Sequence, residues 1–140
     1  MPEKPTTSDP VDSWRRSAEA WNSGDFDRAM SMFSPNPVWD ATGVGLFVYE
    51  GQAAIRQYLE EWMGFLDDVY HEVEEIVDLG HGITFGVVLT TGRMKGSSGE
   101  LELRWAAVAG WADGLTMRVA AYADIDEGRA AAERLAEERG

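Results

Sequence analysis

The sequence contains no cysteine among its 140 residues. Disulfide bonds, a thiolate nucleophile and a cysteine-ligated metal site are therefore excluded. Basic residues are also few, because 12 Lys and Arg stand against 25 Asp and Glu and give a formal charge of −13. An electrostatic field of that sign repels phosphate backbones and anionic lipid headgroups. We therefore expect neither a nucleic acid nor a membrane surface as a partner.

Long hydrophobic runs are missing as well. The longest apolar stretch, Trp105–Ala112, is far shorter than the roughly 20 residues that span a bilayer. Residues 1–9 are polar, hold two prolines and lack an apolar signal core, so we expect a flexible N-terminal tail and a cytoplasmic protein. Residues 10–140 suffice for a single domain with its own core, since 44% of the chain is apolar.

The spacing of apolar residues predicts two helices before the first strand. The first helix begins at Asp9-Pro10, carries one apolar face and ends at the signal Asn22-Ser23-Gly24. Asp25 can cap the second helix. The Pro-Asn-Pro sequence at 35–37 should end it before the extended segment Val38-Trp39-Asp40.

The remainder of the chain changes from a helical to a β-strand pattern. A third helix is predicted over Gln52–Leu66, followed by strands over Val69–Leu79, Ile83–Met94, Leu101–Ala112 and Leu115–Ala123 and a final helix over Glu127–Arg139. Asp113-Gly114 is a strong hairpin signal between the last two strands. These elements predict an α+β domain with N-terminal helices packed on a curved, mixed and mostly antiparallel β-sheet, plus a C-terminal helix.

Two segments carry motifs of a known fold family. The first is Trp21–Asp27 (WNSGDFD), followed by Met32-Phe33 and Val38-Trp39-Asp40, and the second is Tyr49–Tyr58 (YEGQAAIRQY). They resemble the nuclear transport factor 2-like superfamily, in particular its SnoaL-like polyketide cyclase and ketosteroid isomerase-related branches. The order of elements extends the resemblance from about Val11 to Ala132. It implies a cone-shaped fold around a pocket, but no single activity, because such folds host unrelated functions.

Side-chain alternation assigns the faces of the last two strands. One face is apolar and should line the pocket, whose wall we expect to comprise Trp14, Ser17, Trp21, Val38, Trp62, Leu103, Trp105, Ala107, Met117 and Val119. The other face mixes small and charged residues, and in the resembled superfamily it often packs against a second subunit. We therefore expect a homodimer through Glu102, Arg104, Ala106, Val108, Arg118 and Tyr122. The alternative is a solvated face whose ion pairs contribute only about 0–1 kcal/mol each.

Asp40 is the first candidate for catalysis. In the steroid isomerases that the chain resembles, an aspartate at the matching strand position removes a proton next to a carbonyl. The match requires a one-residue deletion in the Ser34–Pro37 loop, and without it Ala41 takes that place. If Asp40 faces the tryptophans of the pocket, loss of hydration raises its pKa toward neutrality, which suits a general acid or base. The alternative is an edge carboxylate that caps the loop after it and faces water.

His71 and Tyr58 complete the candidate catalytic set. His71 shares a strand face with Val69 and Val73 and can carry a proton beside Asp40, although a lone strand histidine is often structural. Tyr58 is the candidate hydrogen-bond donor. No His, Asp or Glu cluster has the spacing of a metal site and no glycine loop fits a phosphate, so we expect neither a metal nor another cofactor.

The remaining machinery of two related enzyme groups has no counterpart here. Where the resembled isomerases carry their oxyanion-hole tyrosine and protonated aspartate, this chain has Ser17 and Ala107. Losing one such donor costs roughly 2.7–4 kcal/mol of transition-state stabilisation, so steroid isomerisation by that mechanism is not expected. The Asp-Arg-Asp group of limonene epoxide hydrolase, another relative, would fall among Gly86–Leu89 and near Ala121, which are apolar or small.

Three functions stay open at this point. The first is a cofactor-independent isomerase or cyclase of the SnoaL-like kind that acts by proton transfer on an apolar cyclic or aromatic substrate. The second is a non-catalytic protein that binds a small apolar metabolite. The third is a dimeric interaction module whose pocket is filled by its own side chains. The orientation of Asp40 and the presence of a cavity among the aromatic residues bear on this choice.

Overall fold

The computed structural model describes residues 9–139 as four helices and six strands. The elements are α1 (Pro10–Ser23), α2 (Phe26–Met30), β1 (Phe33–Gly43), β2 (Val48–Glu50), α3 (Gln52–Gly64), β3 (Leu66–Gly80), β4 (Ile83–Met94), β5 (Glu100–Ala112), β6 (Leu115–Tyr122) and α4 (Ile125–Arg139). The predicted tail, apart from Asp9, lies outside the described residues. The helices within residues 9–139 include none with the length and hydrophobicity of a membrane-spanning segment.

Short sequence signals set the ends of α1 and the start of α2. The Asp9 side chain accepts a hydrogen bond from the Val11 amide and caps α1. At the other end, Gly24 takes a left-handed conformation with φ 80°, which favours glycine because a Cβ would be strained there. Asp25 then accepts a hydrogen bond from the Arg28 amide and caps α2.

The two prolines at the start of the sheet lie inside a strand. We expected Pro35 and Pro37 to end the second helix, but α2 already ends at Met30 and both prolines belong to β1. The pairing of β1 with β6 is interrupted between Phe33 and Val38, so the prolines remove no hydrogen bond of the regular ladder.

The six strands form one sheet in the order β2-β1-β6-β5-β4-β3. Neighbouring strands are antiparallel, except β1 and β6, which run parallel. The predicted α+β class and the mixed, mostly antiparallel sheet are therefore confirmed. Strand β2 was not predicted, because three residues are too few to show an alternating pattern.

Helices cover both faces of the sheet, and each face has its own apolar core. On the inner face, α1, α2 and α3 cover a core of Met30, Phe33, Ile55, Ala107, Ala109, Trp111 and Val119. On the outer face, α4 covers a core of Ile83, Phe85, Val87, Ala106, Val108, Ala120, Ala132 and Ala136. Adjacent residues of β5 belong to opposite cores, as the alternation of a strand requires.

Helix α4 covers the part of the outer face that we expected to contact a second subunit. Ala106 and Val108 were expected to meet a second subunit, but they pack with Ala132 and Ala136 of the chain's own α4. Tyr122 packs against the same core. The small side chains thus permit close approach, as anticipated, but by a helix of the same chain.

The charged residues of the predicted dimer surface stay at the surface, and both arginines pair with carboxylates of the same chain. Arg104 binds Glu74 through two hydrogen bonds of 2.6 and 2.9 Å. Arg118 donates to Asp40 at 3.1 Å. Glu102 is exposed.

Two helical glycines provide a matched test of the packing between α4 and β5. A Cβ added at Gly128 would lie 2.7 Å from the Ala106 Cβ, whereas nothing lies within 4 Å of a Cβ added at Gly64. We expect Gly128→Ala to lower the free energy of unfolding by about 1 kcal/mol, because overpacking outweighs the gain in helix propensity. Gly64→Ala should raise it by up to about 1 kcal/mol. Urea denaturation measures both, and an equal stabilisation by the two changes would contradict the close approach.

Candidate functional site

A cavity of about 110 Å³ lies between α1, α3 and the inner face of the sheet. Five of the six tryptophans line it, namely Trp14, Trp21, Trp39, Trp62 and Trp111. The rest of the wall is mostly aliphatic, with Ser17, His71 and Thr116 as its other polar residues. An apolar cavity on the order of 150 Å³ can hold a benzene molecule, so the available space is on the scale of a single small ring.

The structure brings half of the predicted wall to this cavity. Trp14, Ser17, Trp21, Trp62 and Val119 line it, whereas Val38, Leu103, Trp105, Ala107 and Met117 do not. Ala107 is completely buried in the inner core. Trp105 packs against Trp39, with ring centroids 6.4 Å apart.

A β-bulge explains the position of Met117. Gly110 pairs with Arg118 and Trp111 pairs with Thr116, which leaves Met117 as the extra residue of β6. Its side chain is 42% exposed. Thr116, which simple alternation assigned to the opposite face, lines the cavity instead.

Asp40 lies on the outer face of the sheet, opposite the cavity. Trp39 lines the cavity, so the alternation of β1 turns the next side chain outward, where Asp40 is paired in register with Ala120 of the outer core. Val38 is turned away from the cavity for the same reason. The structure thus corrects the expectation that Asp40 faces the tryptophans.

The hydrogen bonds of Asp40 are those of a structural carboxylate. Its Oδ1 accepts from the hydroxyl and the amide of Thr42 at 2.6 and 3.0 Å, and its Oδ2 accepts from Arg118. The Thr42 hydroxyl, followed by its amide and the Arg118 charge, holds the pKa of Asp40 below the ordinary value of 3.8, although burial opposes this. An ionised carboxylate that caps the following residues is the alternative considered above, and the geometry matches it.

Tyr58 lies beside the cavity wall. Its ring stacks on Tyr49, with centroids 4.2 Å apart, and packs against Trp39 at 6.4 Å. Burial is the main cause that raises the pKa of Tyr58 to about 12, so the phenol stays protonated at neutral pH. Tyr58 therefore packs against a residue of the cavity wall, Trp39, but does not itself line the cavity.

His71 is the one ionisable side chain among the described residues that line the cavity. Burial lowers the pKa of His71 from 6.5 to about 4, so its imidazole is neutral at pH 7. Its Nδ1 lies 3.0 Å from the Thr90 hydroxyl oxygen, which also accepts a hydrogen bond of 3.0 Å from the Trp105 indole. The histidine is therefore held by a polar network within an otherwise apolar wall.

Asn22 fixes the backbone at His71. Its side chain donates to the His71 carbonyl at 2.9 Å and accepts from the His71 amide at 2.7 Å. Strand β3 is at the edge of the sheet, so Asn22 takes the place of a neighbouring strand at this residue. The pair of bonds joins the end of α1 to the strand that carries the imidazole.

Sequence reasoning left Trp39, Trp111 and Thr90 out of the site. Trp111 lies on the predicted apolar face of β5, and Trp39 precedes Asp40 in β1, so consistent alternation would have placed both tryptophans inside and Asp40 outside. Thr84 and Thr90 share a face of the apolar strand β4. Each accepts a hydrogen bond from a tryptophan, at 2.9 Å in the case of Thr84 and Trp111.

Known proteins resemble this chain in family and in fold. Residues 14–133 match the family model of the SnoaL-like domain. No curated protein is significantly similar in sequence to this chain.

Three solved structures illustrate the likeness in fold. A candidate SnoaL-like polyketide cyclase from Shewanella putrefaciens has a TM-score of 0.71 and 8% identity, over 95% of this chain and 99% of that chain. SalBIII, an epoxide hydrolase/cyclase-like enzyme of pyran ring formation in the polyether salinomycin, has a TM-score of 0.70 and 18% identity, over 81% and 88%. A protein with a ketosteroid isomerase-like fold from Catenulispora acidiphila, solved with trimethylamine, has a TM-score of 0.69 and 14% identity, over 84% of this chain and 86% of that chain. Identities this low show a common fold alone.

The neutral imidazole of His71 predicts a loss of stability in acid. An unfolded chain binds this proton at the ordinary pKa of 6.5 and the folded chain only at about 4, so the unfolded state holds more protons between these values. The free energy of unfolding should therefore fall as the pH drops from about 7 to 4, by roughly 3 kcal/mol from this residue. Urea denaturation across that range measures the slope.

A matched pair of histidine variants isolates this contribution from that of the carboxylates. His71→Gln should flatten the slope between pH 4 and 6.5. His81→Asn is the control, because His81 is exposed in the β3–β4 turn and its φ of 57° suits asparagine. A slope that His71→Gln leaves unchanged would contradict the buried neutral imidazole.

Proposed function

The chain belongs to the SnoaL-like domain family of the nuclear transport factor 2-like superfamily, and from that premise we propose that it binds a small apolar cyclic or aromatic molecule in its tryptophan-lined cavity. The observation that carries this proposal is the space left among five large indole rings. A pocket filled by its own side chains, as in an interaction module, would leave no such space. Flat apolar walls with a few polar atoms are the usual construction of small-molecule sites.

The size of the cavity limits the occupant. Typical ligand sites measure about 300–1,000 Å³, well above the 110 Å³ found here. A steroid or a multi-ring polyketide therefore exceeds the available volume. A molecule with one ring fits best, which agrees with the missing counterparts of the steroid isomerase donors at Ser17 and Ala107.

A second candidate function is proton transfer on the bound molecule, as in an isomerase or cyclase that needs no cofactor. His71 favours it, because it is the one ionisable group among the described lining residues. A neutral imidazole can donate a hydrogen bond to a carbonyl oxygen and so stabilise the enolate that forms when a hydroxide ion from the solvent takes a proton from the neighbouring carbon and becomes water. Asp40 takes no part in this proton transfer, because it lies on the outer face of the sheet, opposite the cavity.

Binding can be tested with small cyclic probes. Cyclohexanone, toluene and phenol should each give a saturable change in tryptophan fluorescence, and trimethylamine joins the panel because the Catenulispora protein was solved with it. Ala18→Leu places a larger side chain in the wall and should weaken binding by roughly tenfold or more. Ala53→Leu, at an exposed position of α3, is the matched control and should bind normally. Absence of a saturable signal with all four probes would refute the proposed site.

Proton transfer has a separate readout. In deuterated water, catalysed enolisation replaces the hydrogens next to the carbonyl of cyclohexanone by deuterium, which proton NMR detects. The wild-type protein should accelerate this exchange, while His71→Leu, which has no side-chain donor, should reduce it to the background rate with cyclohexanone still bound. Binding without any acceleration by the wild-type protein would leave the non-catalytic function as the correct one.

A further inference from the structure

Three side chains on neighbouring strands form a continuous hydrogen-bonded chain behind the cavity wall. Trp105 of β5 donates from Nε1 to Thr90 Oγ1 of β4 at 3.0 Å, and the same oxygen lies 3.0 Å from Nδ1 of His71 in β3. His71 and Thr90 are register partners in the sheet. The direction of each hydrogen bond determines which nitrogen of His71 carries the proton.

The direction follows from the hydrogen atoms available. An indole nitrogen only donates, so Thr90 Oγ1 is the acceptor of the Trp105 bond. Thr90 is completely buried, and its hydroxyl hydrogen needs an acceptor of its own. Within residues 9–139, His71 Nδ1 is the one acceptor in hydrogen-bonding distance of that hydroxyl. Thr90 therefore donates to Nδ1, and the neutral imidazole carries its proton on Nε2.

The opposite arrangement leaves a buried group without a partner. If His71 donated from Nδ1, the Thr90 oxygen would accept two hydrogen bonds and its own hydrogen would have no acceptor among the described residues. Burying an unpaired hydroxyl hydrogen is unfavourable. The hydrogen bonds of residues 9–139 leave Nε2 of His71 unused, so this N–H remains for an occupant of the cavity.

A second donor without a partner belongs to the same wall. Trp39 lines the cavity, and its Nε1 is buried with no hydrogen-bond partner among the described residues. The described lining residues include no carboxylate. Tryptophan faces attract cations, but a cation in this cavity would meet the Nε2–H of His71 and no counter-charge.

We propose that Thr90 is a positioning residue that fixes His71 as a hydrogen-bond donor, so that the cavity selects a neutral molecule with an acceptor oxygen, such as a ketone or a cyclic ether. The selection of the ligand rests on the proposed function. The state of the imidazole does not, and it can be measured in the protein without ligand.

Nitrogen-15 NMR of the histidine rings tests which ring nitrogen of His71 carries the proton. At pH 7 the shifts of the two ring nitrogens of wild-type His71 should identify Nε2 as the protonated one, and Thr90→Ser should retain that pattern. Thr90→Val removes the hydroxyl at nearly constant shape and should shift the proton population toward Nδ1. Thr84→Val is the matched control, because Thr84 accepts from Trp111 and does not contact the imidazole. Protonation at Nδ1 in the wild-type protein would overturn the proposal.

Selection is tested with two rings of almost the same shape. Cyclohexanone should bind about tenfold more tightly than methylenecyclohexane, which lacks the oxygen, since one net hydrogen bond supports a ratio of that size. The ratio should fall toward one in Thr90→Val and persist in Thr90→Ser and Thr84→Val. Equal binding of the two rings to the wild-type protein would refute the selection and leave the proposed function standing. Tighter binding of tetramethylammonium than of cyclohexanone would refute it as well, while failure of every probe would refute the proposed function and the selection together.

Discussion

The paired hydrogen bonds between Asn22 and the backbone of His71 are the contact on which the cavity depends. Helix α1 carries part of the cavity wall, and β3 carries its imidazole. An empty space between a helix and a sheet weakens the apolar contacts that would otherwise hold them together. Asn22 compensates at the end of the helix, where it satisfies an amide and a carbonyl that the edge of the sheet leaves unpaired. The two hydrogen bonds of Asn22 therefore hold α1 to β3 beside the cavity.

The two faces of the sheet are packed with side chains of different size. On the outer face, small residues such as Ala106, Ala132 and Gly128 bring the start of α4 close to the strands. On the inner face, large rigid rings meet at tilted angles, as Trp39 does with Phe33 and Trp105 at interplanar angles of about 50°. The apolar cavity lies among these rings, on this face of the sheet.

The sequence predicted the fold well because its decisive signals are local. The caps at Asp9 and Asp25, the left-handed Gly24 and the strand periodicity all act within a few residues. The site was predicted less well because it depends on register. One bulge exposes Met117, and one position in β1 decides whether Trp39 or Asp40 faces inward. The hydrogen bonds of the polar network at His71 could not be predicted from the sequence, because they join residues that are far apart in it. Asn22 and His71 are 49 positions apart, and Trp105 and Thr90 are 15 apart.

The core under α4 shares no residue with the cavity wall among the residues described. The inner core, by contrast, shares four residues with that wall, namely Phe33, Ala109, Trp111 and Val119. A substitution of one of the wall tryptophans changes which molecules fit in the cavity, while the outer core under α4 remains intact. An outer core that is independent of the wall lets a lineage acquire new specificities by gradual change of the wall, because this core keeps supporting the folded state.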